Sequence, residues 1–232
     1  MSKYKLRTGI LLAFLFLAFA GNAQRFNYAE DYERILQRSK NKADSLSYEK
    51  LLPKFLRNDP GMTVYEMLAL MIGYTGTATY KPYEYIKTER LVTTLNDKGS
   101  YMDVVTICDT FLQSHPLSQQ AIIEKAYAFH KLNKQDSASF YKEQFSRIMA
   151  AMDWSGDGRA PETAMFAIGQ KDGENFVDKF YHAEPGKTGM AEDADGNLCQ
   201  MVEMKFRKDG KERRLVFYFI IQHAVNSQVA GR

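Results

Sequence analysis

The stretch "MDWSGDGRAPETAMFAIG", residues 152–169, is where one rhythm of apolar residues ends and another begins. Before Met152 the apolar positions recur every three or four residues, the period of a helix with one buried face. After it they nearly alternate, the period of a strand. Between the two lie Gly156, Gly158 and Pro161, residues that interrupt a helix by backbone freedom or by lacking an amide N–H. The chain therefore reads as α+β: a helical region over residues 24–152, a junction over 153–162 and a small β-rich region over 163–232, expected to form an antiparallel sheet.

The junction also carries Asp153, Ser155, Asp157 and Gly158 at the spacing that opens a calcium-binding loop. Calcium needs six to eight oxygens, and the loop's twelfth position must supply a bidentate glutamate. Here that position is Ala164, and a strand-like segment stands where the exiting helix should be. A second acidic turn, "AEDADGN" (residues 191–197), lacks a downstream carboxylate. Asp153, Ser155, Asp157 and Asp195 are thus candidate cation ligands, with solvated acidic turns as the simpler reading.

Working back from the junction, helical periodicity marks seven amphipathic segments, over residues 31–40, 47–58, 63–74, 82–97, 100–115, 117–133 and 134–152. Ser and Thr ahead of Tyr48 and Val64 are placed as N-caps. In "KGSYMDVVTICDTFLQSHP", Gly99, Tyr101, Val104, Phe111 and Pro116 fall where the second helix of a tetratricopeptide repeat carries its turn, packing and terminal residues. Ala126, Phe129, Asn133 and Ala138 continue the pattern, with Asn133 one period of about 34 residues after Gly99. Residues 99–150 therefore resemble that repeat. The resemblance implies stacked helix pairs with a concave face, which either holds a peptide or closes as a core. The loop "GYTGTATYKPYEY" adds tyrosines. Tyr74, Tyr80, Tyr83 and Tyr127 are the candidate partner-binding residues, and a loop packed over the helices is the competing reading.

Working forward, "TAMFAIG" reads as a strand and "NFVDKFYH" as a strand or short helix. "NLCQMVEMKF" and "RRLVFYFIIQ" read as a hairpin closed by Asp209-Gly210. The last strand is apolar on both faces and is expected inside the sheet. The tail "AVNSQVAGR" is expected to fray.

Residues 1–23 read as a signal peptide: Lys3, Lys5 and Arg7, then an apolar core too short for a bilayer span, then small residues before Gln24. This places the protein in the periplasm or outside the cell, with no stable membrane span after cleavage. The leader carries three of the 31 basic residues, so the remainder balances its 28 acidic ones. That neutrality leaves no electrostatic footprint for nucleic acid. The two cysteines, Cys108 and Cys199, lie in apolar runs and read as small buried hydrophobes. No zinc, nucleophile-elbow, phosphate-loop or dinucleotide motif is present, so no catalytic residue and no cofactor is assigned. His115, His130, His182 and His223 read as helix-end, surface or edge histidines.

The order of "YEKLLPKFLRNDPGMTVYEMLALMIGYTGTATYKPYE", "SGDGRAPETAMFAI" and "DGKERRLVFYFII" resembles an exported family of Bacteroides-type bacteria, catalogued as domain of unknown function 4919. The resemblance implies an envelope location and carries no activity. The expected function is a non-catalytic module that binds a protein or peptide of the cell envelope. The alternative is a small envelope hydrolase or glycan-binding protein that uses the acidic loops, with calcium as a possible requirement.

Overall fold

The structure, a computed structural model, describes residues 26–230; the expected leader, residues 1–23, lies outside the described residues. Among the described residues seven helices come first: α1 (Tyr28–Lys40), α2 (Tyr48–Leu56), α3 (Val64–Thr75), α4 (Ile86–Asp97), α5 (Tyr101–Ser114), α6 (Gln119–Lys131) and α7 (Gln135–Ser155). Their ends follow local chemistry. Thr63 Oγ1 accepts from the Glu66 N–H at 3.1 Å while Glu66 Oε2 accepts from the Thr63 N–H at 2.8 Å, so α3 starts on a closed capping box.

The turns at Gly99 and Asn133 are of identical construction. Gly99 (φ +78°) and Asn133 (φ +59°) both occupy the left-handed region. In each turn the next residue's N–H reaches back five positions, Ser100 to Leu95 and Lys134 to Phe129, both at 2.9 Å. This double-backed stop satisfies the helix's last carbonyls and turns the chain. It makes α4/α5 and α6/α7 consecutive helical hairpins.

One helix departs from expectation. Rather than showing a wet face, α3 is buried at every residue from Met67 to Tyr74. It lies against α1, α2 and α7, so neighbours cover it on several sides. No helix among the described residues is long and apolar enough to cross a membrane.

The helix α7 runs on to Ser155, into the segment expected to be the junction. There the chain doubles back through a 3₁₀ turn at Pro161–Thr163, with the Gly158 N–H donating to Thr163 O at 2.8 Å. A Cβ on Gly156 would lie 2.5 Å from that same carbonyl oxygen, so only glycine admits this close approach.

Four strands follow: β1 (Met165–Phe166), β2 (Glu184–Glu192), β3 (Leu198–Lys208) and β4 (Lys211–Ile220), in the order β1-β4-β3-β2. The last three form an antiparallel meander, while β1 pairs parallel to β4 through Met165↔Phe219 and Phe166↔Ile220. The sheet is therefore mixed where an antiparallel one was expected. The strand β1 enters beside β4, and the intervening α8 (Gln170–Asn175) and a π-turn at Phe176–Phe180 carry the chain to the far edge. The Asp209-Gly210 turn is as anticipated: φ is +53° and +72°, and Lys208 faces Lys211 across a two-residue loop. The strand β4 has partners on both sides, as its apolar faces required.

The tail does not simply fray. Residues Gln222–Ala230 form α9, and His223 and Ala224 are buried. One core runs through both regions, joining Phe55, Leu68 and Met149 of the helices to Phe166, Phe176, Phe217 and Phe219.

Candidate functional site

Three hollows lie along the helix α4, each sharing lining residues with the next, and together they mark out a groove. The narrow end, about 30 Å³, lies among Tyr83, Tyr85, Glu89, Ser118 and Asp172. A middle stretch of about 390 Å³ shares Glu89 and Lys171 with it and adds Thr93, Gln120 and Asn175. The wide end, about 590 Å³, shares Thr93 and adds Asn96, Glu124, Tyr127, Lys142 and Lys179. Its size is that of a ligand-binding cleft.

The walls are held by buried polar networks. Glu124 Oε1 accepts from Thr93 Oγ1 at 3.1 Å and from Gln120 Nε2 at 2.7 Å, while Asn96 Nδ2 donates to its Oε2 at 2.5 Å. Ser118 caps α6 and donates its hydroxyl to Glu89 Oε1 at 2.8 Å. Burial raises the Glu89 carboxyl above its ordinary range, partly offset by that hydrogen bond. Across the recess, Asp172 Oδ2 accepts from the Gly169 N–H at 2.9 Å. Burial pushes its carboxyl up to about 8, with Gly169 working against the shift and the charge of Glu89 adding to it. Two carboxamides lining the groove each leave one buried atom without a hydrogen-bond partner: Oδ1 of Asn96 and Nδ2 of Asn175.

The candidate tyrosines divide. Tyr83 borders the narrow end half-exposed, and Tyr127 lines the wide end, 44 % exposed. Tyr74 and Tyr80 are core residues. The Tyr74 hydroxyl meets Tyr85 at 3.0 Å and His115 Nδ1 at 3.2 Å, and Tyr80 donates to Ile168 O at 2.5 Å. The Tyr80 bond fixes the loop onto the sheet region, and those of Tyr74 tie α3 to Tyr85 and the end of α5. A single surface of four tyrosines is not formed, because a buried hydroxyl is satisfied internally.

The acidic candidates do not converge. Asp153 is exposed on α7, whereas Ser155 is wholly buried, donating to Met152 O at 2.6 Å and accepting from the Phe166 N–H at 2.7 Å. Asp157 Oδ1 accepts from Thr163 Oγ1 at 2.6 Å and from the Arg159 N–H at 2.9 Å, which hold its carboxyl below the usual range. Asp195 sits in the β2–β3 turn, which the Asp193 carboxylate organises, and borders a small hollow beside Pro161 and Glu162 that neither Asp153 nor Asp157 lines. Among the described residues no group of three or more His, Cys, Asp or Glu is placed to hold a metal ion. The half calcium loop is thus the end of a helix, with its serine turned into the core.

His223, expected at an edge, is buried and stacks on Phe166 at 4.6 Å between ring centroids, with Tyr28 and Tyr32 close by. Burial drives its pKa down to about 3. Cys108 and Cys199 are free and buried, and burial pushes both thiols up to about 12.

Glu89 and Asp172 were not singled out from the sequence. A signal existed for the first: Ile86, Glu89 and Val92 are spaced three apart, so the carboxylate falls on the helix's apolar stripe. Nothing in "GQKDGEN" sets Asp172 apart from a surface acid.

Helical hairpins beside a mixed sheet, with a row of polar hollows along one helix, define an α+β protein. Over residues 33–229 the chain matches the family described as a domain of unknown function (DUF4919), and it belongs to that family. No curated protein and no solved structure matches it.

Proposed function

We propose that this is a non-catalytic, exported module that binds an extended protein or peptide segment in the groove along α4. The observation that carries this reading is the row of three hollows along α4 that share lining residues, from Glu89 to Tyr127. The helix α4 is 12 residues long, about 18 Å at helical rise, enough to lie beside roughly five extended residues. The walls offer donors and acceptors of both kinds, which a main chain can match along its length. Lys131 Nζ stands 5.2 Å from the Tyr127 ring centroid. That face is therefore already occupied, which favours a peptide over a sugar ring stacked on the tyrosine.

The test is a solution NMR titration of the secreted chain with a random pentapeptide mixture. Shifts concentrated at Thr93, Asn96 and Tyr127 support the reading. In addition, Tyr127→Ala should weaken binding about tenfold with the melting temperature nearly unchanged, the behaviour of an exposed interface tyrosine. Absence of shifts in the groove, or hydrolysis of the peptides during the titration, would remove it.

A further inference from the structure

We propose that the open edge of β4 takes up an acidic, extended peptide segment as a further strand, held by the main-chain groups of Glu212, Arg214 and Val216 and by the cations beside them. This goes beyond the groove along α4 and does not rest on it.

The strand β4 runs from Lys211 to Ile220, but β1 pairs only with its last two residues, Phe219 and Ile220. Beside that pairing the Tyr218 N–H donates to Gly158 O at 2.9 Å, and Ile220 O accepts from the Ala167 N–H at 3.3 Å. In an antiparallel ladder alternate residues turn their N–H and C=O to opposite sides. Glu212, Arg214 and Val216 therefore aim theirs at the same side as Tyr218 and Ile220, away from β3. No backbone bond is formed there among the described residues. From Lys211 to Val216 the free edge is about 20 Å long, enough for a segment of about six extended residues.

The charge along this edge is a separate observation. Residues 205–214 hold six basic side chains, Lys205, Arg207, Lys208, Lys211, Arg213 and Arg214, against two acidic ones, Asp209 and Glu212. Lys205 is paired with Glu184 and Arg214 with Glu212, both at 2.8 Å. Arg207, Lys208, Lys211 and Arg213 have no ion pair among the described residues. Lys208 stands opposite Lys211 and Phe206 opposite Arg213, so Lys208, Lys211 and Arg213 share one face of the hairpin, all three exposed. Like charges directly opposite each other weaken a strand pair, so folding does not account for them. At the inner end of the edge the Arg159 guanidinium, 4.8 Å from the Phe217 ring centroid, adds a further cation.

The two features together select one occupant. A main chain lying extended beside β4 supplies the missing donors and acceptors, and acidic side chains on alternate residues meet Lys211 and Arg213. A second copy of this edge brings the same cations and is repelled. An anionic bilayer surface would answer the charge, yet it has no row of amides for Glu212, Arg214 and Val216. Basic residues on an edge strand deter chance pairing. An acidic strand is the exception, because its charge turns that repulsion into attraction.

Solution NMR of the chain from Gln24 onward, titrated with three N-acetylated hexapeptide amides, tests this: alternating glutamate and threonine, alternating glutamine and threonine, and the first peptide with every backbone nitrogen methylated. The first should bind about tenfold tighter than the second, which lacks the charge, and about tenfold tighter than the third, which keeps the charge but has no N–H to donate. On binding, hydrogen exchange at the amides of Glu212, Arg214 and Val216 should slow about tenfold, while Arg213 and Leu215, already facing β3, change little. Lys211→Gln and Arg213→Gln should each weaken binding about threefold with the melting temperature unchanged, as loss of an exposed ion pair does. Equal affinity for the glutamate and glutamine peptides overturns the acidic assignment. Equal affinity for the methylated peptide overturns strand addition in favour of contact through charge alone. Protection confined to residues along α4 overturns the edge assignment while the groove reading stands. Binding of phosphatidylglycerol vesicles by a chain that takes none of the peptides overturns it in favour of a membrane surface, and no binding of any probe, at a normal melting temperature, overturns it outright.

Discussion

Asp172 and His223 are both buried, and both are held neutral in the folded chain, so each opposes stability on its own side of the pH scale. The folded-state pKa of Asp172 is raised to about 8, above the unfolded value of about 3.9. Between these limits the folded chain binds the extra proton, so stability is greatest at low pH and is lost as pH rises through 8. Asp172→Asn removes that loss. It should raise unfolding free energy by about 5 kcal/mol at pH 8 and by under about 1 kcal/mol at pH 4, read by urea denaturation at each pH. His223 behaves in the opposite sense. Its folded-state pKa of about 3 lies below the unfolded value of about 6.5, so the unfolded chain takes up the proton first and stability falls as pH drops from 6.5 toward 3. His223→Phe keeps the ring stacked on Phe166, and its denaturation midpoint should vary less over that interval than the natural chain's. Neither residue was legible in the sequence as buried. A polar residue reveals its burial only when its own helix or strand has a clear apolar stripe, as around Glu89, and both "QKDGEN" and "QHAVNSQVA" are too short and too polar to show one.

At the level of elements, two glycines separate two uses of the residue. Gly99 needs a positive φ, yet a Cβ there meets nothing within 4 Å. Gly156 has an extended backbone, yet a Cβ would strike Thr163 O at 2.5 Å and Ala164 O at 2.7 Å. Gly99→Ala should therefore cost about 1 kcal/mol of backbone strain. Gly156→Ala should cost about 3 kcal/mol, because the doubled-back junction must open to admit the methyl. Thermal unfolding of the pair checks the order. The same level shows what periodicity can reveal. The helical segments other than α3, and the hairpin, were readable because each buries one face, those of α4 and α5 in a second apolar cluster around Val92, Val104 and Cys108, and that leaves a regular mark. The strand β2 leaves none: "EPGKTGMAE" is an outer strand, nowhere fully buried, so glycine and proline obscure it. The helix α9 shows no stripe in the sequence because its burial comes from rings distant along the chain, Phe166, Tyr28 and Tyr32.

For the whole molecule, the decisive fact is that helices and sheet share one core. The two regions should melt together, and far-ultraviolet dichroism and Trp154 fluorescence should give one coincident transition; two separated midpoints would show independent folding of the halves. Millimolar calcium should leave that midpoint within about one degree, since a ligand must bind the folded state to raise it, and the acidic turns present no shared cage.

The stacking of His223 on Phe166, beside Tyr28 and Tyr32 of the first helix, has a bearing on timing. The helix α1 cannot finish its packing until α9 is available, so a chain still emerging from the ribosome holds Tyr28, Tyr32 and Phe166 without the ring of His223. Residues 222–230 thus complete this part of the core, and a chain cut short before Gln222 presents those rings to whatever quality-control protein surveys apolar surface.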